Sequence, residues 1–384
     1  MTELVLYFLK LGSFGFGGPA ALVGYMRRDL VEDRKLIDES TYNLSIALAQ
    51  IMPGPLAAQT AMAIGYFQGG IAGATLVGLA FTVPSFLMVL GLSALYVAYG
   101  GMPWMQSVFY GIGAVIIAII AVAAYRLARG TNKRDPLLWT VFAVMLVATA
   151  WSGTELATLF LVAGFVVLLV RAWPGVRQAG LLTAAGLAAV ALIFVLERAL
   201  STSNASGSQH LSLQVLLFFT KAGSFVFGSG LAIVPFLQQG VVHDLGWLTE
   251  HQFLDAVAVA LITPGPVVIT VAFIGYLVAG VMGATLAAVG IFLPVYFFTI
   301  VPAPWFRRHK DNLQLRAFAS GATAAAGGAI AGAVVVLGRG AISDLPTACI
   351  ALTGLILLVR FRVPEPLLVL GAGLVGLALL HQWG

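Results

Sequence analysis

Charge is what this sequence has least of: Asp, Glu, Lys and Arg together make up 9% of its 384 residues, against about 25% in an ordinary soluble domain. With 60% hydrophobic residues and a mean hydropathy of +1.00, a water-soluble globular fold is excluded. Cysteine is nearly absent. Its single copy, Cys349, lies in an apolar run, so neither a disulfide framework nor a thiolate metal site is expected. His210, His243, His251, His309 and His381 sit in loops or at the ends of apolar runs, and none forms a His-Glu-x-x-His pair, so no cofactor or metal is expected. The sequence also lacks a Gly-x-Ser-x-Gly motif and a carboxylate dyad within its spans, which argues against an intramembrane enzyme. No basic lead-in precedes the first apolar run, which carries Glu3 and Lys10, so a cleaved signal peptide is not expected.

What is present in quantity is apolar segment after apolar segment. At roughly 30 residues for one span and its loop, the length allows about a dozen membrane crossings, a number typical of secondary transporters. The 20 basic and 15 acidic residues leave a net charge of +5. The basic residues fall in short loops, where they retain those loops in the cytoplasm, and this pattern speaks for a lipid bilayer rather than nucleic acid as partner.

The chain repeats itself. Lys10-Leu-Gly-Ser-Phe-Gly-Phe-Gly17 returns as Lys221-Ala-Gly-Ser-Phe-Val-Phe-Gly228, and Pro53-Gly54-Pro55 as Pro264-Gly265-Pro266, both at an offset of 211. The register then slips to 210, where Gly65-Tyr66 meets Gly275-Tyr276, Pro84 meets Pro294, Arg129-Gly130 meets Arg339-Gly340, and Glu155 meets Glu365. Residues 1–174 and 211–384 therefore read as two copies of one transporter unit, joined by residues 175–210. In the first copy, six apolar elements fall near residues 3–26, 40–67, 69–98, 108–128, 136–151 and 154–172. The connector adds one apolar helix, Gly180 to Leu196, and a flexible polar stretch from Ser201 to Gln209. Six elements plus one is an odd number. If the connector helix crosses, the second copy enters from the opposite face and the expected fold is an all-α polytopic membrane protein built from two inverted repeats.

Positive charge tests the topology. With all 13 elements crossing, twelve basic residues fall on the side of the N-terminus and six on the other, Lys10 and Lys221 being counted with neither. If the first two elements of each copy are instead re-entrant hairpins, Arg27, Arg28, Arg34 and Lys35 change sides, leaving only Arg198 and Arg339 outside and a split of 16 to 2. Both arrangements invert the copies and put the N-terminus in the cytoplasm, and the charge rule favours the hairpins.

The first two elements of each copy are broken where an ordinary span would be continuous. Gly15-Phe16-Gly17-Gly18-Pro19 interrupts one and Pro53-Gly54-Pro55 the other, since proline and paired glycines stop a helix. The last proline of each break suits the first position of a new half-helix. Backbone N–H groups at such a restart need an acceptor inside the membrane, and together with the helix dipole they make a cradle for an anion. Lys10 and Lys221 stand two turns before the glycines, and no carboxylate lies at a break in the sequence, so a net positive site is expected. Ser13, Ser224, Thr263, Gln50 and Gln59 could bond substrate oxygens or merely cap broken ends. The candidate substrate-binding residues are thus Lys10, Ser13, Gly17, Gly18, Gln50, Pro53, Gly54, Pro55 and Gln59 in the first copy. In the second they are Lys221, Ser224, Gly228, Ser229, Gly230, Thr263, Pro264, Gly265 and Pro266. Gly69-Gly70-Ile-Ala-Gly73 reads as close packing, and Glu155 and Glu365 as structural carboxylates at helix starts. Asp255, nine residues before Pro264, is the nearest candidate proton relay and has no counterpart in the first copy.

Along its whole length the chain resembles the chromate transporter family in its long, duplicated form. Gly15-Phe16-Gly17-Gly18-Pro19 is similar to that family's Phe-Gly-Gly-Pro signature, Gln50-Ile-Met-Pro53-Gly54-Pro55 to its Gln-x-x-Pro-Gly-Pro signature, and Phe81-Thr-Val-Pro84-Ser85 to a further motif. The second half matches less closely: Ser229 stands where glycine is usual and Leu261 where Gln50 would correspond. The resemblance implies export of the oxyanion chromate across the inner (plasma) membrane, coupled to membrane potential or a proton gradient, and chromate resistance. A sulfate or other small-anion transporter of the same architecture is the alternative, and a homodimer is a further option. Expelling a dianion from a negative interior is downhill by about 4.6 kcal/mol per 100 mV, which favours export.

Overall fold

The computed structural model describes residues 1–99, 102–152, 157–172, 208–226, 230–309 and 312–383. The expected connector helix, Gly180 to Leu196, and residues Glu155, Gly228 and Ser229 lie outside the described residues. All regular structure among the described residues is helical. In the first copy α1 (Thr2–Phe14) is followed after the glycine break by α2 (Gly18–Met26), which runs into a π-helical turn, Arg27–Asp33. Then come α3 (Glu39–Ile51), α4 (Leu56–Tyr99), α5 (Pro103–Asn132), α6 (Pro136–Ser152) and α7 (Ala157–Arg171). The second copy contains α8 (Ser208–Ser224), a short 3₁₀ turn (Gly230–Ile233), α9 (Val234–Gln238) and a second π-helical turn, Gln239–Asp244. It continues through α10 (Glu250–Ile262), α11 (Thr270–Ile300), α12 (Ala303–His309), α13 (Leu313–Ala341), α14 (Leu345–Ile356) and α15 (Glu365–Trp383).

Both broken elements are real interruptions. At 13 residues each, α1 and α3 rise only about 20 Å, too short for a hydrocarbon core of about 30 Å. By contrast α5 and α13 are long and apolar enough to cross, as are the stretches Leu56–Tyr99 and Val267–Arg308. The protein is a multi-pass α-helical membrane protein.

The long α4 is itself two limbs, 56–68 and 71–99. Gly69 leaves the helical region and Gly70 takes φ +62°, so the chain folds back and Gly65 packs directly on the backbone of Gly73. The same reversal occurs at Ala279 and Gly280 in α11, where Gly275 meets Gly283. The glycine cluster at 69–73 thus has a second job beside the expected packing. A residue with a Cβ is strained at the left-handed φ of Gly70, which glycine adopts freely.

The two copies interlock. The long fourth helices α5 and α13 pack on each other, and so do α4 and α11. The last two helices of the first copy, α6 and α7, pack on α13 of the second, whereas α14 and α15 pack on α5 of the first. Close approach is made by matched glycines: Gly321 rests on the Ala163 carbonyl of α7 and Gly111 on the Ala372 carbonyl of α15. Added Cβ atoms would strike backbone at both places.

Candidate functional site

The four breaks meet in two reciprocal pairs. The Gly54 N–H donates to the Val226 carbonyl at 2.5 Å, and the Gly265 N–H donates to the Gly15 carbonyl at 2.9 Å. Val226 corresponds to Gly15, and Gly265 to Gly54, at the offset of 211. Each Pro-Gly-Pro break is therefore stitched to the glycine break of the other copy. This corrects the expectation that these two glycine N–H groups are open donors: the interrupted helix ends supply orphan carbonyls as well as orphan amides, and the two satisfy each other. The first N–H groups of the restarted limbs, beginning at Leu56, still have no intrahelical partner.

The prolines also sit slightly off their expected places. Pro19 is the second residue of α2, Pro55 immediately precedes α4 and accepts the Gln59 N–H, and Pro266 caps a short 3₁₀ turn, Val267–Ile269. Gly54 takes φ +148° with the buried Gln59 amide where its Cβ would be. The Gln59 Nε2 donates to the Pro53 carbonyl at 2.8 Å, so this glutamine clamps its own break, while its Oε1 is buried without a hydrogen-bond partner among the described residues. Ser85 adds a group that the sequence placed in a motif but not in the site. Fully buried, it donates to the Gly12 carbonyl at 3.2 Å, and its Oγ occupies the space a Cβ on Gly265 would need.

The other expected residues divide by location. Ser13, Ser224 and Thr263 donate back to carbonyls of their own helices, Leu9, Thr220 and Val259. Gln50 is exposed at the end of α3, whereas Gly54 and Pro55 are buried. Pro264, Gly265 and Pro266 are all buried, as is Gly230, which lies against Val267 and Val268. In the first copy Gly17 and Lys10 are exposed, with Gly17 at φ +112° and Gly18 at +74°. Lys221 carries its Nζ 6.0 Å from the centre of the Phe236 ring.

Beside the first glycine break is a cavity of about 250 Å³ that the sequence did not reveal. Lys10 and Gly15 line it together with Tyr7, Tyr25, Arg28, Asp29 and Arg34, brought there by the π-helical turn after α2. Arg28 bonds Asp29 at 3.0 Å and lies over the Tyr25 ring, and Arg34 lies over the Tyr7 ring. A carboxylate does stand at this break after all, yet three cations against one acid keep the cavity net positive. In the sequence these arginines read only as loop charges, and their one signal is a run of charge directly after a broken helix.

Asp255 is 9% exposed, and the Tyr96 hydroxyl of α4 donates to its Oδ2 at 2.7 Å. This bond ties the first copy to the second at the helix that leads into Pro264.

Interlocked apolar helices interrupted at matching glycine and proline breaks, with a basic cavity at one of them, have the architecture of a membrane transporter. The family model described as Chromate transporter matches residues 2–195 and 213–377, and the chain belongs to the chromate transporter family. It is 52% identical to the chromate transport protein of Cupriavidus metallidurans, over 100% of this chain and 94% of that protein. A probable chromate transport protein of Synechococcus elongatus is 51% identical over 98% and 95% of the two chains, and the chromate transport protein of Pseudomonas aeruginosa is 29% identical over 97% and 91%. No solved structure matches the chain.

Proposed function

We propose that this protein exports chromate across the plasma membrane, driven by the membrane potential or a proton gradient, and thereby confers chromate resistance. The observation that carries the substrate is its full-length likeness, at 52% identity, to a protein named for chromate transport. The mechanism proposed is alternating access at the stitched breaks. Residues 1–174 and 211–384 act as inverted repeats about that junction, with the N-terminus in the cytoplasm, as the 16 to 2 charge split favours.

In this reading the oxyanion is gathered by Lys10, Arg28 and Arg34, which are charge-matched to it and, in the case of the arginines, shaped for bidentate contact with oxygens. From there it passes to the half-helix starts beside Gly17, Gly18 and Leu56, whose amides and dipole favour negative charge. Rocking of one copy against the other would exchange the bonds at Gly54 and Gly265, opening the junction to the second copy. If protons are the coupling ion, Asp255 is the carboxylate placed to carry one, next to the Tyr96 hydroxyl.

The test is export of chromate by cells or uptake into inside-out vesicles. Gly17→Leu and Gly54→Leu should each abolish it, because a side chain at Gly17 meets Ala21 and one at Gly54 displaces the Gln59 amide. Insertion is followed separately by labelling a cysteine placed at Leu245 in a Cys349→Ser background. Normal chromate resistance in correctly inserted variants would refute the site. Chromate uptake unaffected by sulfate supports chromate export, whereas mutual competition supports the small-anion alternative.

A further inference from the structure

At the C-terminal end of α5 lies a second, larger groove of about 700 Å³. Arg126 and Arg129 of α5 face Arg362, which follows the π-helical turn Leu357–Phe361 between α14 and α15. Three guanidinium groups around one groove are a strong local positive charge in a chain that is only 9% charged. Among the described residues Glu365 is the one carboxylate paired there, 3.8 Å from Arg126. Arg129 reaches only the Tyr125 hydroxyl, at 3.4 Å, and among the described residues neither Arg129 nor Arg362 has an ion-pair partner.

Depth and wall chemistry limit what can fill this groove. A 30-residue helix rises about 45 Å, longer than the hydrocarbon core of about 30 Å, so Arg126 and Arg129 near its C-terminal end stand at headgroup level. The wall beside them is apolar and open to the membrane, with Tyr125 at 58% and Val359 at 64% exposure. A small free anion has no use for such a wall. A molecule with a phosphate headgroup and acyl chains uses both parts, because its phosphate fits the arginines and its chains lie on the exposed apolar side chains.

The second copy has no equivalent. At the offset of 210, Tyr125, Arg126 and Arg129 correspond to Val335, Val336 and Arg339, and Arg362 corresponds to Ser152, so only one arginine of the three is kept. The charge cluster is therefore not a by-product of the duplicated fold. We propose that the groove between α5 and the α14–α15 turn is a binding site for an anionic phospholipid, with Arg129 and Arg362 holding the headgroup phosphate and Arg126 shared with Glu365.

Native mass spectrometry of the full-length protein, titrated with phosphatidylglycerol or phosphatidylcholine, tests this. Phosphatidylglycerol should be retained and phosphatidylcholine should not. In R129Q/R362G, retention should fall by about fivefold for each arginine removed, roughly 25-fold in all. Arg362 has φ +55°, a conformation glycine adopts freely, so its replacement does not threaten the fold. R339Q, altering the lone counterpart, should retain lipid as wild type does. Equal retention of the two lipids, or undiminished retention by the double variant, would overturn the proposal. Displacement of phosphatidylglycerol by inorganic phosphate alone would also overturn it, because the site would then recognise a free anion.

Discussion

The turn after the first glycine break and its counterpart in the second copy share a backbone and differ in almost everything else. The Arg34 N–H bonds the Asp29 carbonyl and the Leu36 N–H bonds that of Leu30; at the corresponding places Leu245 bonds Gly240 and Trp247 bonds Val241. Lys35 and Gly246 both take positive φ. Yet Tyr7, Tyr25, Arg28, Asp29 and Arg34 become Phe218, Phe236, Gln239, Gly240 and Leu245. Where the first copy holds a basic cavity, the second stacks Phe218 on Phe236 with 5.7 Å between centroids, and Phe218 covers Gly240. Duplication has kept the hydrogen-bond scaffold, which any side chain can use, and released the surface chemistry. One copy presents a basic cavity and the other a stacked aromatic pair.

Three comparisons between the copies sharpen or break that contrast. The largest effect is expected from R28Q/R34Q, which should lower chromate flux at low substrate by more than about tenfold, through a raised KM, since two charge-assisted contacts are lost. Gln239→Ala with Leu245→Ala should change it little; equal losses in both copies would dissolve the distinction. Next, Lys10→Met should reduce flux by roughly three- to tenfold, whereas Lys221→Met, whose ammonium lies over Phe236, should act chiefly on stability, read as a thermal shift. The smallest difference concerns acid. Asp38 caps α3 by accepting the Thr41 N–H, and its bonds from Ser40 and Thr41 hold its pKa down at about 2, while the corresponding Thr249 caps α10 with a neutral box closed by Gln252. A lowered carboxylate pKa stabilises the fold above the ordinary carboxylate range, and that contribution is lost as the pH falls toward about 2. Amide protection factors, corrected for the intrinsic pH dependence of exchange, should therefore fall from pH 5 to pH 3 more at the start of α3 than at the start of α10, and Asp38→Thr should remove the difference.

Much of this was legible in the residues. The breaks at Gly17 and Gly54, the matching break at Gly265, and the positions of the long spans all follow from proline, glycine and hydropathy, because these act locally. The stitching of Gly54 to Val226 and of Gly265 to Gly15 was not, since an offset reveals which segments are alike and not which ones touch. For the same reason Arg28 and Arg34 read from sequence as topology signals alone, whereas the π-helical turn brings them to the cavity that Lys10 lines. Gly70 shows a third kind of gap: small residues close together fit both packing and reversal, and only the backbone angle separates the two.

The crossed arrangement of α6 and α7 on α13, and of α14 and α15 on α5, bears on how the molecule is made. The first half closes a core of its own over Leu4 to Phe81, but its last pair of helices stays unsheltered until the long helix α13 of the other half has been made. Two separately encoded halves would have to find each other for these helices to be covered.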